Sequence, residues 1–411
     1  MKYLLIIGDG MADNPVPELG NKTPLEYANI PTIDALAAKG IVGSVKNCPD
    51  GLPAGSDTAI TSIFGCDPHK YYTGRAPLEV AAMGVKLNPG DIAYRCNMVC
   101  MEEVDKPLAQ RRILSHSAGS IEPDESDNIV TALFSDPEFK AAADRAGMSI
   151  HLGHSFRHFA VQSGADGTGM KLIPPHDHLG EVAGPLLPSG SENAAVLLSL
   201  MELAHKKLEH HPLNEERRAA GKMPANGIWF WAEGTAVALP EFEKQFGHNG
   251  GVISAVPLCH GIAALTGLSP VTVEGATGEL ITNLEGKVDA AMTVLEKDDF
   301  AAIHVEAPDE CTHNGDLKGK LQSIEWLDSR VVKPLLEKLD AKGWDYRILF
   351  LSDHKTLTST RGHDGTPVPF LLYDSRVDTG SGASYCEKDG EKGPQYSDGA
   401  AVDMKLLFDE L

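Results

Sequence analysis

Seven side chains in this sequence are of the types that bind divalent metals or attack phosphorus. They are Asp9, Ser56, Asp309, His313, Asp353, His354 and His363. Oxygen and imidazole ligands without cysteine suit Mn²⁺, Mg²⁺ or Zn²⁺, and two such ions can clamp the attacking and departing oxygens of a phosphoryl transfer. A metal also lowers the pKa of a coordinated serine hydroxyl, so Ser56 needs no histidine base beside it. Together the residues predict two-metal phosphoryl transfer at a serine nucleophile.

The local settings of these residues favour that interpretation. Asp9 ends the apolar run of residues 3–7 and precedes Gly10, which places a carboxylate at the end of a predicted buried strand. Ser56 precedes a helical pattern over residues 57–64, so its hydroxyl lies at the positive end of a helix, a setting that suits a phosphoryl group. Asp309 and His313 are four residues apart, which puts them on one face of a helical turn.

Three of these segments could also be explained without a metal site. The segment of Asp309 and His313 could be a solvated acidic loop, and Asp353 with His354 could lie in a surface loop after the strand of residues 346–351. His363, which precedes a turn that feeds another strand, would by itself more often be structural. Taken jointly, the segments favour one metal site.

The elements that position these residues are predicted to form an α/β fold. Near the N-terminus, a strand at 2–8, a helix at 32–39 and a strand at 41–45 form a β-α-β unit. The C-terminal section repeats this style with strands at 300–305, 346–351 and 369–373 and a long helix at 321–341. Three of these strands end at a candidate ligand.

The middle of the chain has a different pattern, with half-exposed strands near 91–99, 149–152 and 159–161 and a helix at 194–210. We therefore expect two domains, which suits a chain of 411 residues. Residues 1–90 and 250–411 are predicted to form one discontinuous metal-binding domain, and residues 91–249 an inserted α+β lid domain that binds substrate.

Composition limits the partners. The net charge of -22 disfavours nucleic acid and anionic membranes, so an anionic substrate needs a local basic pocket. No apolar run approaches a membrane span and no secretory leader is recognised, so we expect a cytoplasmic protein. The seven cysteines show no Cys-x-x-Cys pair and are expected to be reduced structural thiols.

Several segments resemble a known family. Residues 9–13, 55–57, 73–79, 309–316, 353–354 and 363 look like those of the archaeal-type cofactor-independent phosphoglycerate mutases of the alkaline phosphatase superfamily. Residues 156–158, 174–177 and 225–231 resemble a bacterial branch labelled as homoserine kinase. The resemblance covers nearly the whole chain and implies an alkaline-phosphatase-like three-layer α/β/α core with an inserted α+β lid domain.

The resemblance also implies roles for the residues. One metal would be held by Asp9, Ser56, Asp353 and His354, and the other by Asp309, His313 and His363. Ser56 would become phosphorylated transiently while the lid excludes water. The metals would be Mn²⁺, with Mg²⁺ or Zn²⁺ as alternatives, and no nucleotide cofactor is expected.

Residues of the inserted region are the candidates for substrate contact. Arg157 is the first candidate for an anion clamp, with a surface salt bridge as the alternative, and Arg75 either contacts substrate or braces the Ser56 helix. His176 and Asp177 are candidate proton carriers, or they pack a proline-rich loop. His116 is a further candidate.

Three departures from the family bear on the substrate. Glu233 stands where cationic groups are usual, His260 where lysine is usual, and Ser115 where aspartate is common. His260 remains a candidate substrate ligand, and His116 could compensate for Ser115. These changes weaken the expected stabilisation of negative charge in the transition state.

Three hypotheses follow from the sequence. The first is the glycolytic interconversion of 2-phosphoglycerate and 3-phosphoglycerate, and the second is a phosphotransferase or phosphatase acting on another small phosphorylated metabolite, such as a homoserine kinase. The sequence has no phosphate-binding loop of the Gly-x-x-x-x-Gly-Lys-Ser/Thr type, which argues against the homoserine kinase. The third is a metal-binding scaffold, which has no need for the hydroxyl of Ser56. The sequence leaves open whether the protein is a monomer or a homo-oligomer.

Overall fold

The computed structural model describes residues 1–409. Its strands in chain order are β1 (Lys2–Gly8), β2 (Ile41–Val45), β3 (Ile92–Met101), β4 (Ile113–Ser115), β5 (Met148–His154), β6 (Arg157–Gln162), β7 (Gly227–Thr235), β8 (Gly250–Ile253), β9 (Ser269–Val271), β10 (Phe300–Val305), β11 (Tyr346–Leu351), β12 (Lys355–Leu357), β13 (Gly362–Asp364), β14 (Val368–Asp374) and β15 (Gln395–Tyr396).

Its α-helices in chain order are α1 (Pro24–Tyr27), α2 (Pro31–Lys39), α3 (Ser56–Ile63), α4 (Pro68–Tyr71), α5 (Arg75–Ala82), α6 (Pro123–Ser135), α7 (Pro137–Arg145), α8 (Glu192–Leu208), α9 (Pro212–Ala219), α10 (Phe242–Phe246), α11 (Pro257–Thr266), α12 (Leu284–Leu295), α13 (Ala307–His313), α14 (Leu317–Trp326), α15 (Lys333–Lys342), α16 (Glu387–Gly390) and α17 (Gly399–Phe408). Short 3₁₀ turns occur at Pro17–Leu19, Leu108–Gln110, Pro175–His178 and Gly184–Leu186, and a π-helical segment occupies Leu327–Val332.

The chain divides into two compact units. Unit 1 comprises Met1–Tyr72, Ala81–Gly84 and the chain from Ala238 onward, and unit 2 comprises Thr73–Val80 and Val85–Val237. The assignment of residues 91–249 to a substrate-binding lid stays a prediction.

Unit 1 is built on an eight-stranded sheet with the order β15-β2-β14-β11-β1-β10-β8-β9. Strand β14 runs antiparallel to both of its neighbours, and the other paired strands are parallel. Strands β10 and β11 are buried along their whole length, and β1 from its third residue, which explains their nearly continuous apolar sequences. A mixed sheet of this kind needs helices on both faces.

Two groups of helices cover this sheet. Helix α3 contacts α11 and α17, whereas α2 and α12 contact the π-helical segment, and each group includes helices that contact the strands. The predicted α/β core is thereby confirmed. The strands of the predicted β-α-β unit are parallel but are not neighbours, because β11 and β14 lie between β1 and β2.

The long helix predicted at 321–341 is helical from Leu317 to Lys342, but it is not one regular α-helix. The π-helical segment Leu327–Val332 interrupts it and leaves Pro334 in the first turn of α15, where a missing backbone N–H costs least.

Unit 2 is an antiparallel sheet covered by helices. Strand β3 pairs with three strands, β4, β6 and β7. Strand β6 also pairs with β5. Helices α6, α7 and α8 pack against β5 and β7 and against one another. The core contains Tyr94, Met98, Trp229 and Phe230, each at most 1% exposed.

All seven cysteines are buried and unpaired in the described chain, as expected. Within residues 1–409, no helix combines the length and apolar character needed to cross a membrane.

Candidate metal and phosphoryl-transfer site

The candidate ligands lie at the carboxyl ends of three neighbouring strands. Strand β1 lies between β10 and β11 and is parallel to both, so all three strands end at the same edge of the sheet. Asp9 follows β1, Asp309 lies in the helix after β10, and Asp353 with His354 follows β11. This edge is where open α/β sheets place ligands.

Ser56 is the first residue of α3 and lies among these ligands. Its Oγ atom is 3.1 Å from His354 Nε2 and 3.3 Å from the nearer carboxylate oxygen of Asp9. The free N–H groups of the first helical turn lie beside the same hydroxyl, and they favour an anion there. The Ser56 hydroxyl therefore lies where a helix N-terminus would favour an anionic group.

The histidines have their Nε2 atoms directed into the site. The Nδ1 atoms of His313, His354 and His363 lie 2.7, 3.2 and 3.2 Å from the carbonyl oxygens of Arg361, Lys355 and Ala54. An Nδ1–H that donates to a carbonyl leaves a lone pair on Nε2, the arrangement of metal-bound histidines.

Those lone pairs meet at one point. His313 Nε2 is 2.9 Å from His363 Nε2 and 3.1 Å from a carboxylate oxygen of Asp309. A positive charge, carried by a proton or by a metal ion, would be favourable between these three atoms. The hydrogen bond to the Asp309 carboxylate raises the pKa of His313 to about 9, because the negative charge favours a positive charge at this position.

The carboxylates are also crowded. Burial and the neighbouring Asp353, Asp309 and Glu306 raise the pKa of Asp9 well above its usual range. Oδ2 of Asp353 is buried and has no hydrogen-bond partner among residues 1–409. An orphaned buried carboxylate oxygen among like charges is suited to a divalent cation.

Two groups of ligand atoms could each hold an ion. One consists of Asp309, His313 and His363, as the sequence predicts, and the other of Asp9, Asp309 and His354. Ser56 and Asp353 lie within 3.4 Å of His354 Nε2, so they border the second group. The residues fit divalent metals, and the division of ligands between two ions stays a prediction.

Sequence reasoning missed three residues that support this site. His304 Nε2 lies 2.9 Å from Asp9, and Thr356 Oγ1 donates to Asp309 at 2.6 Å. Gly10 has φ of +58° and donates its N–H to Asp353. A Cβ on Gly10 would lie 2.4 Å from Thr356 Oγ1, so only glycine fits. A histidine inside an apolar strand was the one signal available for His304.

The substrate candidates of unit 2 contact one another or nearby residues of that unit. His176 lies 5.9 Å from His116 between ring centroids, and its Nε2 is 3.6 Å from Asp177. The guanidinium of Arg157 stacks 4.8 Å from the Phe156 ring. Arg75 donates to Glu79 at 3.0 Å. No observation decides their roles, which stay predictions.

The three departures from the family occupy different environments. His260 lies on α11 of unit 1, where burial lowers its pKa, so it is a neutral imidazole at neutral pH. Ser115 Oγ accepts hydrogen bonds from the backbone of Ser117 and Gly119, which favours the structural explanation for that loop. Burial raises the pKa of Glu233.

Comparisons with known proteins agree on one family. Residues 37–214 match the family described as 2,3-bisphosphoglycerate-independent phosphoglycerate mutase. A protein of that name from Methanosarcina acetivorans is 41% identical to this chain over 95% of each sequence.

Solved structures show the same fold. The structure of the PH0037 protein from Pyrococcus horikoshii is 29% identical, covers 99% of this chain and 98% of its own, and has a TM-score of 0.79. The cofactor-independent phosphoglycerate mutase from Thermoplasma acidophilum is 24% identical, covers 99% of both chains and has a TM-score of 0.64.

Proposed function

The chain belongs to the 2,3-bisphosphoglycerate-independent phosphoglycerate mutase family, and we propose that it interconverts 2-phosphoglycerate and 3-phosphoglycerate through a phosphoserine at Ser56. The position of Ser56 carries this proposal. Its hydroxyl lies at the start of α3 and within 3.4 Å of both Asp9 and His354.

The reaction consists of two displacements at phosphorus. Ser56 Oγ attacks the phosphoryl group of one phosphoglycerate, the bond to the substrate oxygen breaks, and phosphoserine and glycerate result. The other hydroxyl of glycerate then attacks the phosphoserine and frees Ser56. In each step the attacking hydroxyl loses one proton and the departing oxygen gains one, so no net proton is consumed.

The proposed metal holders are Asp9, Ser56, Asp353 and His354 for one ion and Asp309, His313 and His363 for the other. Bound divalent ions, for which we propose Mn²⁺, would lower the pKa of the Ser56 hydroxyl and offset the charge of the transferring group. His304 supports the site by holding the Asp9 carboxylate through a 2.9 Å contact.

Residues of unit 2 and His260 complete the proposal, in which His260 and His116 would contact the substrate. Arg157 and Arg75 would bind the anionic groups of phosphoglycerate, and His176 with Asp177 would carry the protons. Burial lowers the pKa of both His116 and His176, so each is a neutral imidazole able to accept a proton at neutral pH. We also propose a cytoplasmic location, where free phosphoglycerate is available.

The test is an isomerisation assay. Purified protein supplied with Mn²⁺ and 3-phosphoglycerate should produce 2-phosphoglycerate, detected by coupling to enolase. Ser56→Ala should lower this activity at least about a thousandfold, because it removes both the nucleophile and one of the proposed metal ligands. Ser62→Ala, on the same helix and 1% exposed, is the matched control and should keep it.

Mass spectrometry of the quenched reaction should show phosphate on the peptide that contains Ser56. Wild-type protein with metals bound and no isomerisation would refute the proposal. Release of inorganic phosphate would instead indicate a phosphatase, and ATP-dependent phosphorylation of homoserine would indicate a kinase.

A further inference from the structure

A chain of side-chain contacts in unit 2 links Glu79 to His176. Arg95 on β3 is paired directly opposite Trp231 on β7, so both side chains lie on one face of the sheet. The Arg95 guanidinium is 4.7 Å from the centroid of the Trp231 ring. This distance is typical of a cation–π interaction.

Arg95 has little freedom to move. Its Nε donates to Glu79 Oε2 at 2.7 Å, and its Nη2 donates to the other oxygen of the same carboxylate. Glu79 is 3% and Arg95 8% exposed, so the pair is desolvated and its fork geometry is fixed. Arg75 adds a third contact to Glu79.

Trp231 contacts His176 directly and is linked to His116 through Asn97. Its ring centroid lies 5.0 Å from that of His176. Its Nε1–H donates to Asn97 at 2.9 Å, and Asn97 donates to the carbonyl oxygen of His116 at 3.0 Å. The indole is therefore anchored at both its ring and its N–H.

The backbone at this point is irregular. The pairing of β3 with β7 shifts register between Ala93 and Arg95, and Ala232, which follows Trp231, has φ of +54°. A left-handed alanine is strained, and bulges of this kind redirect a side chain. The sheet thus departs from regular pairing where Trp231 meets Arg95.

We propose that Glu79, Arg95 and Trp231 are positioning residues for His176. Glu79 fixes the guanidinium of Arg95, Arg95 fixes the indole of Trp231, and the indole restricts the orientation of the His176 ring. The inference rests on the proposed function, because that function gives His176 its role as a proton carrier.

Charge supplies an independent consequence. Burial lowers the pKa of His176, Asp177 opposes this effect, and the positive charges of Arg95, Arg157 and Arg75 lower it further. His116 also faces His176. Removing the charge of Arg95 should therefore raise the pKa of His176.

The first measurement is an NMR titration of protein labelled in its histidine side chains, with the His176 signal assigned by His176→Asn. In Arg95→Gln the pKa of His176 should rise by about half a pH unit or more. In Arg95→Lys, which keeps the charge, it should stay near the wild-type value. Arg111→Gln removes a similar buried arginine paired with Glu209 elsewhere in unit 2 and is the matched control.

The second measurement is kinetic. Arg95→Gln and Trp231→Leu should each lower kcat about tenfold with KM changed less than about twofold, since they misplace a proton carrier and do not bind substrate. An unchanged pKa of His176 in Arg95→Gln would overturn the inference. A raised KM with unchanged kcat would also overturn it, because Arg95 would then bind substrate directly.

The titration needs no turnover. If the wild type fails to isomerise phosphoglycerate, the proposed function fails, while the coupling of Arg95 to His176 is still decided by the titration. Thermal unfolding of each variant separates misfolding from misplacement, and Trp231→Leu provides the test if Arg95→Gln does not fold.

Discussion

The metal site of unit 1 and the Trp231 contacts of unit 2 both collect histidines and charged groups, but they balance charge differently. In unit 1, Asp9, Asp309 and Asp353 crowd together and Asp353 Oδ2 lacks a hydrogen-bond partner within the described chain. In unit 2, the Glu79 carboxylate is matched by Arg95 and Arg75.

The difference separates two ways of preparing a site. In the unit 1 site the neighbouring carboxylates raise the pKa of the buried Asp9, so we expect the order of this site to depend on bound metal. The unit 2 contacts are neutralised by the chain itself and should be ordered without metal.

Metal removal should have the largest effect. Treatment with EDTA should lower activity by about a thousandfold or more, and Mn²⁺ should restore it. Hydrogen exchange should accelerate at residues 9–12 and 353–356, where like charges would repel, but not at residues 95–98 and 228–231. Equal acceleration in both regions would contradict the comparison.

Glu79→Gln should affect unit 2. Although burial opposes them, Arg75 and Arg95 lower the pKa of Glu79 from its usual 4.5 to about 2. A depressed pKa contributes stability above pH 4.5 that is lost as pH falls toward 2, which amounts to about 3 kcal/mol. Urea unfolding at neutral pH should show a loss of that size in the variant, with or without metal.

The control for this change is Glu138→Gln. Glu138 pairs with Lys207 on the surface, with 59% of its side chain exposed, so its replacement should lower the free energy of unfolding far less than Glu79→Gln does. Equal losses of unfolding free energy in the two variants would show that the buried pair stabilises unit 2 no more than the surface pair does.

Gly10→Ala should weaken metal binding about 10- to 100-fold, because the new Cβ would lie 2.7 Å from Asp309 Oδ1. Gly20→Ala is the matched control, since Gly20 has φ of +70° and open space around it. Both variants place an alanine at a positive φ, so they share the same kind of backbone strain. Calorimetric titration with Mn²⁺ should therefore show weaker binding only in Gly10→Ala. Equal affinities would show that Gly10 does not shape the site.

Asp403→Asn should have the smallest effect. Within residues 1–409 neither Asp403 oxygen has a hydrogen-bond partner, and the same holds for Asn47 Oδ1. A Cβ on Gly399 would lie 2.1 Å from Asn47 Oδ1 and 2.9 Å from Asp403 Oδ2, so the oxygens border the same point. Asn47 Nδ2 in turn donates to the carbonyl oxygen of Asp353 at 3.3 Å.

Burial, followed by the charge of Asp398, raises the pKa of Asp403 well above its usual range. A raised pKa means that stability is lost as pH rises through the folded-state value. In the Asp403→Asn variant this side chain cannot ionise. Between pH 5 and pH 9 the free energy of unfolding of this variant should therefore fall by about 1 kcal/mol less than that of the wild type. Asp105→Asn, on an exposed loop, is the control, and parallel pH curves would refute the prediction.

The sequence predicts the parts of the site that follow from local pattern. The apolar run before Asp9, the helix that begins at Ser56 and the four-residue spacing of Asp309 and His313 each indicate an element and its end. The structure brings these residues to one edge of the sheet because parallel strands end together.

Contacts between segments far apart in the chain could not be predicted from the sequence. His304 and Asp9 are 295 residues apart, and a histidine inside a buried strand has the same local pattern whether it supports a ligand or only packs. The pairing of Arg95 with Trp231 depends on strand register and a bulge, which no local pattern specifies.

Strand β1 has a consequence for how this protein is made. Its two neighbours in the sheet begin at Phe300 and Tyr346, whereas every strand partner of β3 lies between residues 113 and 235. At about 5–20 residues per second, a ribosome needs roughly 15–60 s to bring β1 its first partner. During that interval an apolar segment emerges with both edges unpaired, so chaperones that bind nascent chains should engage this protein at its first ten residues.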